Sequence, residues 1–486
     1  MIKRKDAPFK LGQIKKVEDY MREHVGVGES FDVDFREIIL LKQKVHLYYV
    51  NGLCDSLIIV ELLKVLIAIN DNEHEAEQLP AIVKNRLVHQ QFEETDQLDK
   101  IITDVLSGLI AVFIEGYDQA MIVDVRTYPG RSPEEPDTER VVRGSRDGYT
   151  ENIIENTALT RRRVRDPRLR HEIIKVGERS QTDICLAYIK DLADPKLVKL
   201  IKKELEMVKT DGLSMADKSL EEFIVHQGLN PFPLVRYTER PDVASNHLFE
   251  GHILIMVDTS PSMIITPTTF FHHLQHAEEY RQSPAVGTFV RWVRFFGILI
   301  SIFLLPFWYL LSIEEQLLPE MLQFIGPNEE GNIPLFLQII FADVGIEFLR
   351  MAAIHTPAPL STAMGLIAAV LIGEIAIDVG LFSPEVILYV ALAAIGSYAT
   401  PSYELSVANK LARLAIVITT AVFGLPGFVA GTTLYILALA KIKSLNTPYL
   451  WPFIPFNLKA LLQILIRYSV PATETRPSIT HPKQKR

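Results

Sequence analysis

The chain has 486 residues, a formal net charge of −9 and hydrophobic side chains at 48% of positions, enough for two or three domains with sizeable cores. Its two cysteines, Cys54 and Cys185, lack CxxC spacing, which excludes a disulfide framework and a cysteine zinc site and suits a reducing compartment. The averages conceal two unlike parts: a charged, mixed region up to about Gln282, and a mostly apolar one from Phe295 to Ile442.

Residues 1–29 read as a polar tail. The opening "MIKRKDAPFKLGQIKKVEDY" has basic residues with no apolar core behind them, so no secretory signal is expected, and the charged region is expected to stay in the cytoplasm. Residues 30–128 and 141–267 then repeat one pattern. "YYVNGLCDSLIIVELLKVL" from Tyr49 and "AYIKDLADPKLVKLIKKEL" from Ala187 each read as an apolar strand, a turn with an acid (Asp55, Asp194) and an amphipathic helix. "GLIAVFIEGYDQAMIVDV" from Gly108 and "GHILIMVDTSPSMIITPT" from Gly251 each read as strand, acid-led turn (Glu115, Asp258) and strand. Both pairs are offset by about 140 residues, and agreement between independent segments argues for a duplication. The expected fold is an α/β soluble region of two duplicated small modules. Between them, "PGRSPEEPDTER" at 129–140 has the prolines, glycine and charges of a linker.

The second module opens on "RGSRDGYTENIIENTALTRRRVRDPRLR", residues 143–170, with eight arginines. Ile153, Ile154, Ala158 and Leu159 fall at helical spacing, so Arg161, Arg162 and Arg163 close a helix, where carbonyl dipoles favour cations. Asp147, Glu151, Glu155 and Asp166 are interleaved, and guanidinium forks pair well with carboxylates. Tyr149 is the segment's one aromatic, too few for a base-stacking platform. Arg143, Arg161, Arg162, Arg163 and Arg165 are therefore expected at contacts between modules or subunits, and no nucleic acid is expected as a partner. Further on, "LIMVDTSPS" resembles the active-site turn of aspartic proteases. That chemistry needs two aspartates sharing a proton, and Glu115-Gly116 fills the matching place without the motif. "FHHLQHAEEY" sets His272, His276 and Glu279 where one helix face could hold a metal, though an amphipathic connector at 268–294 explains them more simply. No Walker loop or paired-glycine fingerprint is present. No catalytic residue, metal or cofactor is expected, and no enzyme.

Residues 295–456 are expected to form an all-α polytopic transmembrane domain, since a span needs about 20 apolar residues. Arg291 and Arg294 precede a first span at Phe295–Ile313 and mark the cytoplasmic side. The next loop, "EEQLLPEMLQFIGPNEEGN", has five glutamates and no Lys or Arg, as an outside loop should. Pro334–Ala353 has two readings, a re-entrant amphipathic helix carrying a local Glu347–Arg350 pair, or a polar span. Charge placement favours the span, because Arg350, Lys410, Arg413, Lys441 and Lys443 then all land inside. Further spans follow at Leu360–Leu381 and Glu385–Ala399. Two arms of about 15 residues flank "GLPG" at Gly424–Gly427, and 457–486 form a cytoplasmic tail. Asp343 with Glu347, and Glu374 with Asp378, are each four residues apart and share a helix face. Charges inside a bilayer cost several kcal/mol and usually face a wet path or a partner. These four are the pore candidates: copies around an axis would turn a pair into a carboxylate ring that attracts cations.

"RGSRDGYTENIIENTALTRRRVRDPRL", "VDTSPSMIITPTTF", "RWVRF", "GLFSPE" and "TPYLWPFIP" together resemble, in order and over nearly the whole chain, the A subunits of spore germinant receptors, the GerA family. Two places depart from the receptor pattern: Asp258-Thr259-Ser260-Pro261 stands for D-G-x-P, and Glu374 for a glutamine. The resemblance implies a homo-oligomer, as a pentamer, forming an ion channel in the inner membrane of the spore. It would release monovalent cations on germination alongside a companion membrane subunit, without itself sensing nutrient. A transporter for calcium–dipicolinate and a non-conducting scaffold for receptor complexes are the alternatives.

Overall fold

The computed structural model describes residues 9–71, 79–87, 92–126, 139–318, 325–326, 332–355, 365, 371–469, 471, 476 and 480. Most of the 129–140 linker, and much of the expected span at 360–381, lie outside the described residues. The chain divides into two units. One joins Met1–Gly228 to Val235–Pro267 and Thr473–Arg486; the other joins Leu229–Leu234 to Thr268–Ala472.

The first unit holds two five-stranded antiparallel sheets. Strands β1 (Val33–Leu40), β2 (Gln43–Val50), β3 (Phe92–Thr95), β4 (Ile110–Ile114) and β5 (Ala120–Val123) form the first, in the order β1-β2-β4-β5-β3. Strands β6 (Leu169–Val176), β7 (Thr182–Ile189), β8 (Arg236–Thr238), β9 (Ile253–Val257) and β10 (Met263–Thr266) form the second, in the order β6-β7-β9-β10-β8. The matching orders establish the duplication. Each sheet also carries two strands that the sequence pattern did not mark, β1 and β3 or β6 and β8. They are the outer strands; β1 and β3 are half solvated, so their charged sequences ("VDFREIIL", "FEET") lack a continuous apolar signature.

The central strands β4, β5 and β9 are apolar throughout and buried, because both faces are covered. In the first sheet Tyr48, Val50, Ala111, Phe113 and Ile122 share one core with α1 (Ile14–Tyr20) and α4 (Leu98–Leu106). Val45, Leu47, Ile110, Val112 and Met121 face a second core with α2 (Ser56–Ile67) and α3 (Leu79–Arg86). Alternate side chains on a strand point to opposite faces, so one run serves both cores. The second sheet is flanked by α5 (Ile153–Arg163), α6 (Pro195–Met207), α7 (Ala216–Val225) and α8 (Pro241–Phe249). The repeated acids prove to be helix caps: Asp55 accepts from Leu57 N at 2.8 Å, and Asp194 from Lys196 N at 2.9 Å. Both cysteines are free and buried, and burial pushes the Cys54 thiol up to about 11.

The second unit is helical. Pro284–Ile313 is one 30-residue helix, and Tyr403–Phe423 is another of 21; by length and composition these are the two described helices able to cross a membrane. The first helix begins well before Phe295, so Arg291 and Arg294 lie within it. Leu335–His355 is a single helix of 21 residues containing Asp343, Glu347 and Arg350. Pro384–Tyr398 has 15 residues. The arms around Gly424 are longer than the sequence suggested, 21 and 17 residues, because the polar turn "YELSVANK" continues the first as helix behind the Ser402 cap. Leu305, Trp308, Ile339, Ala342, Val390, Ala393 and Val417 join four of these helices in one core.

Where the two sheet modules meet, Gly52 has φ +79°, and a Cβ there would lie 2.9 Å from Ala158 Cβ and 3.1 Å from Ile154 O on α5. Gly52→Val therefore combines backbone strain with overpacking, at about 2–3 kcal/mol. The expected outcome is a lower thermal midpoint of the purified chain and faster protease nicking between the modules. An unchanged midpoint and digestion pattern would count against this contact.

Candidate functional site

The first unit is fastened by a charge cluster that is wholly buried. Arg161, at the end of α5, reaches from the second module into the first: Nε and Nη2 donate to Asp32 Oδ2 and Oδ1 at 2.7 and 3.2 Å. Its remaining N–H groups donate to Asp166 O and Leu169 O, each at 3.1 Å. Ser30 Oγ donates to Asp32 at 2.7 Å and accepts from His171 N at 2.9 Å, while His171 Nδ1 lies 3.0 Å from Asp32 Oδ2. Arg161, Asp32 and His171 have no exposed side-chain surface. Burial alone would raise the Asp32 carboxyl, but Arg161 and His171 outweigh it and hold the group well below the usual carboxylate range. A second arginine, Arg170, donates to Glu29 Oε2 at 3.1 Å and to Val25 O at 3.0 Å. Gly26, with φ +89°, lies against its guanidinium, where a Cβ would approach Arg170 Cζ to 2.5 Å.

The arginines chosen from sequence therefore separate. Arg161 makes the module contact. Arg163 pairs with Asp147 at 2.5 Å inside the second module. Arg143, Arg162 and Arg165 are exposed. Arg170 was missed because the partners that tie it to the first module, Glu29 and Val25, lie 141 and 145 residues away in the chain.

The helical unit contains a second cluster. Asp343 is fully buried and pairs with Arg413 Nη2 at 2.5 Å; Glu347, one turn on, pairs with Lys410 Nζ at 2.8 Å. Lys410 also donates to Asp343 O at 3.0 Å, tying the two pairs together. The partner helix contributes Lys410 and Arg413 at i, i+3 spacing, so both cations face both acids. Arg413 Nη1 donates to Ser301 O at 2.7 Å. That carbonyl lies in a π-helical turn, Ile300–Leu304, followed by Pro306, which brings no N–H to the widened turn. Among the described residues Asp343 Oδ2 and Arg413 Nε have no hydrogen-bond partner.

This arrangement corrects two expectations. Lys410 and Arg413 are not loop cations marking the inside; they are held within helices against carboxylates, so they carry little weight in placing the membrane sides. The local Glu347–Arg350 pair is also replaced. Arg350 lies over the rings of Tyr403 and Tyr398, at 4.3 and 5.4 Å, and Glu347 turns to Lys410. Glu374 and Asp378 are exposed, on a short helical stretch ending at Asp378. His272, His276 and Glu279 do not converge. Glu279 is buried against Arg291 at 2.8 Å and against Arg294, His272 faces Thr269, and His276 caps Glu278 N at 3.2 Å. Asp258 accepts from Ile153 N at 3.3 Å, at the start of α5.

Two duplicated α/β modules locked by a buried arginine, followed by apolar helices with their own ion-pair network, define a two-part protein with helices fit for a bilayer. The chain belongs to the Bacillus/Clostridium GerA spore germination protein family, whose sequence pattern matches residues 19–479. It is 61% identical over 470 residues to stage V sporulation protein AF of Bacillus subtilis (strain 168), covering 97% of this chain and 95% of that relative. Spore germination protein KA of the same strain is 30% identical over 466 residues, covering 94% of this chain and 85% of that relative. The crystal structure of the N-terminal domain of the A subunit of the Bacillus megaterium spore germinant receptor GerK3 is 25% identical, with a TM-score of 0.42, over 53% of this chain and 95% of that domain.

Asp32→Asn strands the Arg161 charge in the interior, a loss of about 3–5 kcal/mol, whereas Arg163→Ala, at a partly exposed pair, costs about 1 kcal/mol or less. Because the folded Asp32 value is depressed, its contribution is fully present above the unfolded value of 3.8 and is lost as pH falls below it. Denaturant titrations at neutral pH and near pH 3 measure both. Equal losses in the two variants would show that Arg161 is not the fastening.

Proposed function

We propose that this chain is an integral membrane subunit of an oligomeric channel that releases cations across the spore inner membrane during germination. Its helical unit crosses the membrane several times, and its α/β unit lies on the cytoplasmic side as the platform of a homo-oligomer. Membership of a spore germination family supports the setting. A companion membrane subunit fits the kinship with a receptor A subunit.

The observation that carries the channel reading is the Asp343–Arg413–Lys410–Glu347 network between two mostly apolar helices. Desolvating four ionisable groups is costly, and apolar packing of similar volume would be at least as stable. Retaining them favours a role in moving charge. The network also refines which residue would meet an ion. Asp343 pairs with Arg413 and has no exposed side-chain surface, so it anchors the helices; the Glu347 side chain keeps 24% of its surface accessible and is held by Lys410. Glu347 is thus the carboxylate suited to a cation path, with Lys410 as the counter-ion that yields when the path opens. The unsatisfied Asp343 Oδ2 and Arg413 Nε are places where water would complete the hydrogen bonding.

In liposomes carrying the purified chain, Glu347→Gln is expected to cut monovalent cation flux or its selectivity over anions severalfold while leaving protein yield unchanged. Asp343→Asn is expected to lower yield and thermal stability instead, by leaving Arg413 buried and unpaired. Unaltered flux and selectivity in Glu347→Gln would remove that residue from the path. Absence of flux from the unsubstituted chain would sink the channel reading.

A further inference from the structure

The duplication supplies an internal control for every surface of the first module. Aligned on their caps, Asp55 and Asp194, α2 and α6 bury the same positions: Leu62 and Leu66 in one, Ile201 and Leu205 in the other. Their outer faces differ at five positions, although an exposed Glu61–Lys64 pair also lies on α2. Leu57, Val60, Leu63, Val65 and Ile67 on α2 stand where α6 has Lys196, Lys199, Lys202, Glu204 and Glu206. Leu57 is 77% exposed, Val60 48% and Ile67 51%. An apolar stripe of this kind on a helix that is charged in its own duplicate points to an interface.

The edge beside α2 has changed in the same sense. By strand register Arg36 on β1 opposes Leu47, as Glu172 on β6 opposes Leu186. In the second module Glu172 closes this corner, accepting from Tyr188 Oη and pairing with Lys202. In the first, the equivalents Arg36, Tyr49 and Leu63 cannot do so, and they line an open cavity of about 130 Å³ with Leu47, Ile59 and Ile110. Among the described residues the Arg36 side chain has neither ion pair nor hydrogen bond. The surface thus offers an apolar ridge, a cleft and an unmatched cation, and it calls for an apolar surface bearing a carboxylate.

The same chain presents that chemistry on its other module. On α7 Phe223 is 39% exposed next to an exposed Glu222, which makes no ion pair among the described residues, and Met215 before the helix is 69% exposed. Copies inserted in one membrane share an orientation, so a ring of more than two must join unlike faces. We propose that the α2 ridge with Arg36 receives the α7 face of a second copy, Phe223 packing on Val60 and Ile67 and Glu222 meeting Arg36. This rests on the oligomer reading above and names its contact.

The test uses the full-length chain in membranes. Arg36→Glu and Glu222→Arg should each lower the chemically crosslinked oligomer at least tenfold without moving the thermal midpoint, and the two together should restore it. With two separately tagged populations, Val60→Cys in one and Phe223→Cys in the other should yield an inter-copy disulfide. Undiminished assembly in Arg36→Glu and Val60→Lys overturns the proposal. So does failure of the paired reversal to restore assembly, or a photocrosslinker at position 60 that captures lipid or a different protein. A monomeric unsubstituted chain would fail the oligomer reading itself, and so is distinguishable from a misplaced contact.

Discussion

A charge withdrawn from water must find its counter-ion within hydrogen-bond reach, and buried clusters in both units meet that condition. In the α/β unit the guanidinium of Arg161 is shared between Asp32 and two backbone carbonyls, with His171 and Ser30 completing the shell around the carboxylate. In the helical unit Arg413 and Lys410 meet Asp343 and Glu347. Neither cluster adds stability cheaply, since desolvation takes back much of the Coulombic gain. What each fixes is a meeting of distant segments, Asp32 with Arg161 and Asp343 with Arg413.

That constraint explains how a duplicated fold acquired two different halves. The modules share strand order, capping acids and buried helix positions. They differ on their surfaces: Leu57, Val60 and Ile67 of α2 stand where α6 has Lys196, Lys199 and Glu206, and Arg36 stands where the duplicate has Glu172. The arginine-rich segment belongs to the same history. It opens the second module, and through Arg161 and Arg170 it reaches back to residues 25–32 of the first, so the pair forms one body rather than two beads on a linker.

In the helices the ion-pair network changes the meaning of carboxylates at helical spacing. Spacing placed Asp343 and Glu347 on one face, and a ring of bare carboxylates followed naturally from it. The tertiary packing gives each acid a cation from the facing helix and so makes the two acids unequal. One is sealed in and holds the helices together. The other is partly accessible and held by Lys410.

The chain by itself determined the two-part division, the duplication, the capped helices and the strand–turn–strand pairs, because these depend on periodicity, capping chemistry and turn residues within a few positions of one another. Of the five arginines it named, Arg161 makes the module contact, and of the four acids it named, Asp343 is buried while Glu374 and Asp378 are exposed. Folding alone decided which charge meets which. Asp32 and Arg161 are 129 residues apart, Asp343 and Arg413 are 70 apart, and no local pattern encodes such a meeting. The outer strands were settled the same way: β1 and β3 are half solvated, and only pairing with their neighbours makes a strand of a sequence whose charges read as a loop.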